Sequence, residues 1–169
     1  MQPLKTYDYL TRARSILFDQ VRPLTDNDWR RQFDIGLGSL ARTLTHLMIC
    51  EWFYIRRMRQ ERVPPYDQWS IQDERPPSFD IIEQTWTPQM AETRAALEAV
   101  ADWDAAFIYP GTDAHGSPRR ALVTPADILT QLALHEVHHR AQAMNMLRHL
   151  GVQALDLDYN EIAYPWEPA

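Results

Sequence analysis

His135 and His139 lie four residues apart in the stretch TPADILTQLALHEVHHRAQAMNMLRHLG. On a helix, both imidazoles leave one face about one turn apart. Two neutral imidazoles at that spacing can grip one divalent metal ion. At about 100° per residue the two rings point about 40° apart, and Gln131 and Gln142 fall on nearly the same line. His138 is turned by about 100° from His139, so one ion does not easily take both. His149 shares the face but lies about 15 Å further along the axis. The spacing leaves two other readings open, a solvent-facing pair and a buried pair bonded to glutamines and backbone. The surrounding leucines and alanines argue against a fully exposed face, and buried imidazoles need partners.

The same residues, His135-Glu136-Val137-His138-His139, also spell H-E-x-x-H, in which Glu136 would be the general base of a zinc peptidase. That pattern is short and arises by chance in helices. A peptidase also needs a third ligand from downstream and a strand to bind substrate. Glu161 is the only glutamate between the pattern and Glu167, and it lies in a proline-containing tail.

The helix that must carry the pair has both ends marked. Thr124 can cap it, Pro125 suits its first position and Asp127 sits where a capping-box acid belongs. Gly151 supplies a left-handed stop. Three further helices are expected upstream. Leu4, Tyr7, Leu10, Leu17, Phe18 and Val21 give a helix over about 4–21. Ser39 opens a second over about 39–62, before Pro64-Pro65, with Leu40, Leu44, Leu47, Met48, Ile55 and Met58 inward. His46 lies beside that stripe, where a lone histidine is more often a hydrogen-bonded core residue than a ligand. Ser78 opens a third over about 78–101, and Pro88 inside it either kinks or breaks the helix. The fourth runs over about 125–150.

Between the third and fourth helices, Ala106–Tyr109 and Arg120–Val123 flank a turn region containing His115, which predicts a small hairpin leaning on the helices. PPYDQWSIQDERPP reads as a surface loop. The tail, 152–169, is acidic but carries Leu155, Leu157, Tyr159, Ile162, Tyr164 and Trp166. It is expected to pack along its own chain or against a second subunit. The fold class is all-α, a single four-helix bundle over 1–169, the architecture in which metal sites are built between facing helices.

Composition limits the partners. The 169 residues are 45% hydrophobic and 24% charged, as in an ordinary soluble domain. A formal charge of −6 and scattered arginines argue against nucleic acid as a partner. No apolar run approaches a membrane span, and the charged N-terminal residues lack a signal-peptide centre, so a cytoplasmic protein is expected. Cys50 is the single cysteine, which fits a reducing compartment. Its LMICEWF context reads as a buried structural thiol rather than a nucleophile.

His46 followed by Glu51-Trp52, and His135-x-x-x-His139-Arg140-x-Gln142 on the last helix, together resemble the DinB/YfiT-like superfamily. The short hairpin and the ending Arg148-His149-Leu150-Gly151 fit the same pattern, which spans Leu4 to about Tyr159. Ala141, where members commonly have glycine, and Pro88 depart from it. The resemblance implies a divalent metal held by His46, His135 and His139, with positions left open for water or substrate. A nitrogen-only set suits Zn²⁺ first and Ni²⁺ next, with Fe²⁺, Mn²⁺ and Co²⁺ also possible. Relatives include thiol-dependent transferases using bacillithiol, mycothiol or glutathione, so the implied chemistry is activation of a low-molecular-weight thiol, or of water in a hydrolase, against a small-molecule substrate. A homodimer is implied as well. A non-catalytic metal-binding stress or interaction protein is the alternative class. Gln131 and Gln142, with Glu51 and Trp52, are candidates for orienting the imidazoles or lining a pocket. Arg140 points away from the pair and is expected in a salt bridge or at a dimer contact.

Overall fold

The computed structural model describes residues 2–112, 115, 117–153 and 155–167. The chain is mostly helical with one two-stranded antiparallel sheet. In order come α1 (Pro3–Val21), α2 (Asp26–Arg30), α3 (Leu40–Met58), α4 (Phe79–Glu98), β1 (Phe107–Thr112), β2 (Pro118–Val123), α5 (Pro125–His149) and α6 (Tyr159–Ala163). No helix among the described residues is long and apolar enough to cross a membrane.

Local chemistry sets the ends of these helices. The Thr124 hydroxyl accepts from the Asp127 N–H while the Asp127 carboxylate accepts from the Thr124 N–H at 2.8 Å, a complete capping box with Pro125 behind it. At the far end Gly151 adopts φ +81°, and the Val152 N–H reaches the Leu147 carbonyl at 3.0 Å. Thr25 and Asp28 form a second capping box that starts α2. Ser39 accepts from the Arg42 N–H to start α3. Ser78 precedes α4 without a side-chain cap.

Two predicted helix ends fall short of their expected positions. The second helix stops at Met58 rather than about Arg62, because Gln60 turns into the left-handed region at φ +58°. The third stops at Glu98 rather than about 101. It runs through Pro88 without a break.

The four long helices pack pairwise, α1 and α3 each lying against both α4 and α5, with α2 on α3 and α6 on α1. One apolar cluster gathers Leu17, Phe18, Trp29, Leu44, Met48, Trp86 and Leu147. A second gathers Tyr7, Leu10, Ile55, Leu97, Leu129 and Leu132. Burial of these side chains from water is the main force holding the helices together.

The hairpin pairs Phe107 with Val123 through Thr112 with Pro118, two residues longer at each strand than expected. Phe107, Tyr109 and Val123 lean on the second cluster while Ile108 and Leu122 face water, the alternation a half-buried strand requires. Positions 113, 114 and 116 of the predicted turn lie outside the described residues, as do 154, 168 and 169 of the tail. The rest of the tail follows α1: Leu157 is buried and its carbonyl accepts from the Tyr9 hydroxyl at 2.9 Å.

Candidate metal centre

Three imidazoles converge where α3 faces α5. His46 comes from the middle of α3, His135 and His139 from successive turns of α5. The ring centroids are 5.0 Å apart for His46 and His135, 4.9 Å for His46 and His139, and 4.6 Å for His135 and His139. The Nε2 atoms of His46 and His135 approach to 3.1 Å.

The neighbours fix which nitrogens carry protons. A carboxylate can only accept, so the 3.0 Å contact between His46 Nδ1 and Asp73 Oδ2 places the proton on Nδ1 of neutral His46. His139 Nδ1 likewise donates to Gln142 Oε1 at 2.7 Å, and the Gln142 amide donates to His138 Nε2 at 3.0 Å. His46 and His139 therefore present Nε2 lone pairs. His135 Nε2 faces one of these lone pairs, so either a proton or a cation must lie between the two nitrogens. Its Nδ1 is buried without a hydrogen-bond partner among the described residues. Burial, and then the neighbouring imidazoles of His139, His46 and His138, push the His135 pKa down to about 4. Burial also lowers that of His139, against the Gln142 hydrogen bond. Both rings are thus neutral at pH 7, the form that binds metal.

The donor set fits a divalent ion. For tetrahedral Zn²⁺ with Zn–N near 2.05 Å, two ligand nitrogens lie about 3.3 Å apart. The 3.1 Å separation found here is close to that. Donor atoms of His46, Cys50 and His135 lie within 4.8 Å of one another. That tighter set omits His139 and admits Cys50, whose Sγ is 3.6 Å from His46 Nε2. Burial and then the Asp73 carboxylate push the thiol up to about 12, so without metal it is protonated.

The loop that delivers Asp73 is pinned to α3 by aromatic contacts. Trp69 packs edge-on against Trp52 at 5.0 Å and against Tyr66 at 5.1 Å. The Tyr66 hydroxyl lies between the Asp73 and Glu74 carboxylates, which share its one hydrogen, and accepts from the Asp73 N–H at 3.0 Å. Asp73 is left 7% exposed. Gly36 adopts φ +50°, and a β-carbon there would overlap Gln142 Oε1, so only glycine leaves room for the Gln142 amide.

The remaining predicted residues divide. Gln142 touches His139 directly. Gln131 donates instead to the Tyr54 hydroxyl at 3.3 Å, and Tyr54 stands edge-on to His135 at 5.7 Å. Trp52 lines a cavity of about 320 Å³ with Met48, Ile49, Trp69, Ile71 and Gln89. Glu51 is not beside the imidazoles. Its fully buried carboxylate accepts from Tyr7 at 2.7 Å, Arg14 at 2.7 Å, Trp86 at 2.9 Å and Thr93 at 2.7 Å.

Glu136 is not a general base either. One residue past His135, it turns into the core, where Arg14 holds it at 2.6 and 3.3 Å and Arg140 approaches to 4.0 Å. It is 3% exposed, which removes the peptidase reading. Arg140 itself donates to the Tyr9 hydroxyl and is buried within its own chain. Asp73, Tyr54 and Gly36 were not singled out from sequence. Cys50 was, as a core thiol, although its position four residues after His46 already placed it on the ligand face.

A concavity of about 490 Å³ lies elsewhere, lined by Tyr9, Val137, Arg140, Met144, Leu155 and Leu157, and includes none of the donor residues.

A family model described as DinB family matches residues 1–168. A crystal structure of a DinB-like protein from Bacillus cereus ATCC 10987 is similar at a TM-score of 0.64 and 20% identity, over 91% of this chain and 94% of that one. At that identity the likeness bears on the fold. No curated protein matches the chain.

Proposed function

The chain belongs to the DinB family, and on that premise we propose that His46, His135 and His139 hold a divalent metal ion in a transferase that uses a low-molecular-weight thiol. The four long helices, in this reading, form the family's four-helix bundle. The observation that carries the proposal is the convergence of three imidazoles, two of them with Nδ1 committed as a donor to Asp73 or Gln142, which leaves their Nε2 lone pairs for a metal.

A divalent cation bound there would favour the deprotonated form of a thiol or water, the nucleophile that transfer or hydrolysis needs. The chain's own residues supply the rest. Asp73 and Gln142 hold two imidazoles in the ligating tautomer. Tyr54, edge-on to His135 and held by Gln131, walls one side of the site. A nitrogen-rich set suits Zn²⁺ or Ni²⁺. Leu134, 65% exposed, with Val137, Leu155 and Tyr159, offers an apolar surface for a homodimer, which light scattering would reveal as twice the chain mass.

The test begins with metal content of untagged protein, wild type against His135→Ala/His139→Ala, followed by consumption of bacillithiol, mycothiol or glutathione against a panel of electrophiles. About one metal per chain, lost in the double variant together with thiol consumption, is expected. Electrophile consumed without thiol would identify water as the nucleophile and a hydrolase. Metal bound without either reaction would make the protein a non-catalytic metal binder.

A further inference from the structure

We propose that Cys50 Sγ is a further donor to the ion held by His46 and His135, so that the centre is a mixed nitrogen and sulfur site. This rests on the histidine reading above and deepens it. Cys50 follows His46 by one turn of α3, which brings the sulfur and the imidazole to one helix face. Its Sγ lies 3.6 Å from His46 Nε2 and 3.9 Å from Nδ1. For a tetrahedral ion with Zn–N near 2.05 Å and Zn–S near 2.3 Å, ligand nitrogen and sulfur lie about 3.6 Å apart. The sulfur therefore already stands at ligand separation from the nitrogen that is itself at ligand separation from His135.

A core thiol is the competing account, and the packing argues against it. The buried apolar residues of α3 include Leu44, Leu47, Met48 and Ile55, and Cys50 belongs to neither apolar cluster. It is half-buried against imidazole instead. On binding, the sulfur would ligate as thiolate and its proton would leave to solvent. The set then becomes softer, favouring Zn²⁺ or Co²⁺ over Mn²⁺. A residue of the chain would also fill a position otherwise open to substrate.

Cobalt reads the sulfur directly. The full-length, untagged chain is titrated with Co²⁺ alone, and the near-ultraviolet thiolate-to-cobalt charge-transfer band is followed in wild type, Cys50→Ser and Cys50→Ala, with circular dichroism to verify folding. Cys50 is the only cysteine, so that band can have no other source. The expected result is a band saturating at about one cobalt per chain in wild type and lost in both variants, which retain helicity. Cobalt bound at one per chain by wild type without the band would overturn the role of Cys50 and leave the histidine centre standing. Failure of wild type to bind cobalt at all would remove the centre and this inference with it.

Discussion

Asp73 accepts a hydrogen bond from His46 Nδ1 at 3.0 Å across 27 positions of sequence. A residue from a proline-rich loop thus decides which nitrogen of a helix-borne histidine faces the site. Because Asp73 also takes a hydrogen bond from Tyr66, its own orientation is fixed from the loop side.

Replacing Asp73 by alanine should weaken metal binding about 10- to 100-fold, the usual effect of removing an imidazole's carboxylate partner. Competition with a chromophoric chelator measures it. Tyr66→Phe should weaken binding less, since Asp73 keeps its contact with His46. Unchanged affinity in Asp73→Ala would dissociate the loop from the centre.

His46→Ala should sharply lower metal occupancy while far-ultraviolet circular dichroism stays that of the wild type. His46 is only partly buried, so truncation opens no deep cavity. Elemental analysis after dialysis against excess Zn²⁺ checks this, and unchanged stoichiometry would exclude His46 as a ligand.

Gly36→Ala should disturb His139 through Gln142. A β-carbon at Gly36 would overlap the Gln142 amide, and alanine at φ +50° costs roughly 1 kcal/mol besides. The amide must then move off His139 Nδ1. Weaker metal binding together with a lowered urea midpoint is expected. A midpoint shift without any change in affinity would confine Gly36 to the turn.

Arg14→Met should be among the most destabilising single changes in the chain. It leaves the buried carboxylates of Glu51 and Glu136 without the guanidinium that lies 2.7 and 2.6 Å from them. Removing one side of a buried ion pair costs about 3–5 kcal/mol. Glu136→Gln, by contrast, should leave metal stoichiometry at the wild-type value, because Glu136 faces Arg14 rather than the imidazoles. Urea denaturation reads the first and elemental analysis the second.

Acid should selectively weaken the start of α5. Hydrogen bonds from the Thr124 N–H and hydroxyl lower the Asp127 pKa. A carboxyl depressed in the folded state contributes stability above its unfolded value, near 3.9, and loses it as pH falls through the folded value. The difference in melting temperature between wild type and Asp127→Asn should therefore be largest at neutral pH and vanish in strong acid. A difference that persisted in strong acid, where the carboxyl is protonated in both folded and unfolded chains, would mean that the charge is not what Asp127 contributes.

The elements that carry the histidines were legible because their signals are local. Thr124-Pro125 with Asp127, and Ser39 ahead of Leu40, mark helix starts within four residues, and i, i+4 spacing gives the face. What was not legible is non-local. Nothing in PPYDQWSIQDERPP indicates that Trp69 docks on Trp52 and thereby delivers Asp73 to His46. The places of Glu51 and Glu136 were not legible for a related reason. Each adjoins a donor residue in sequence, and only the packing of α1 shows that Arg14 draws both to the other side. The early end of α3 rests on Gln60 in a left-handed conformation that no glycine announces.

The contact of Arg14 with both carboxylates bears on how the donors are aimed. Glu51 follows Cys50 on α3, and Glu136 follows His135 on α5, each about 100° around its helix. Rotating either helix about its axis would pull its carboxylate off the one guanidinium that serves both. Arg14 therefore acts as a key that sets the azimuth of two helices from behind, so the imidazoles are aimed from the core while the loop that carries Asp73 settles which nitrogen of His46 faces the site.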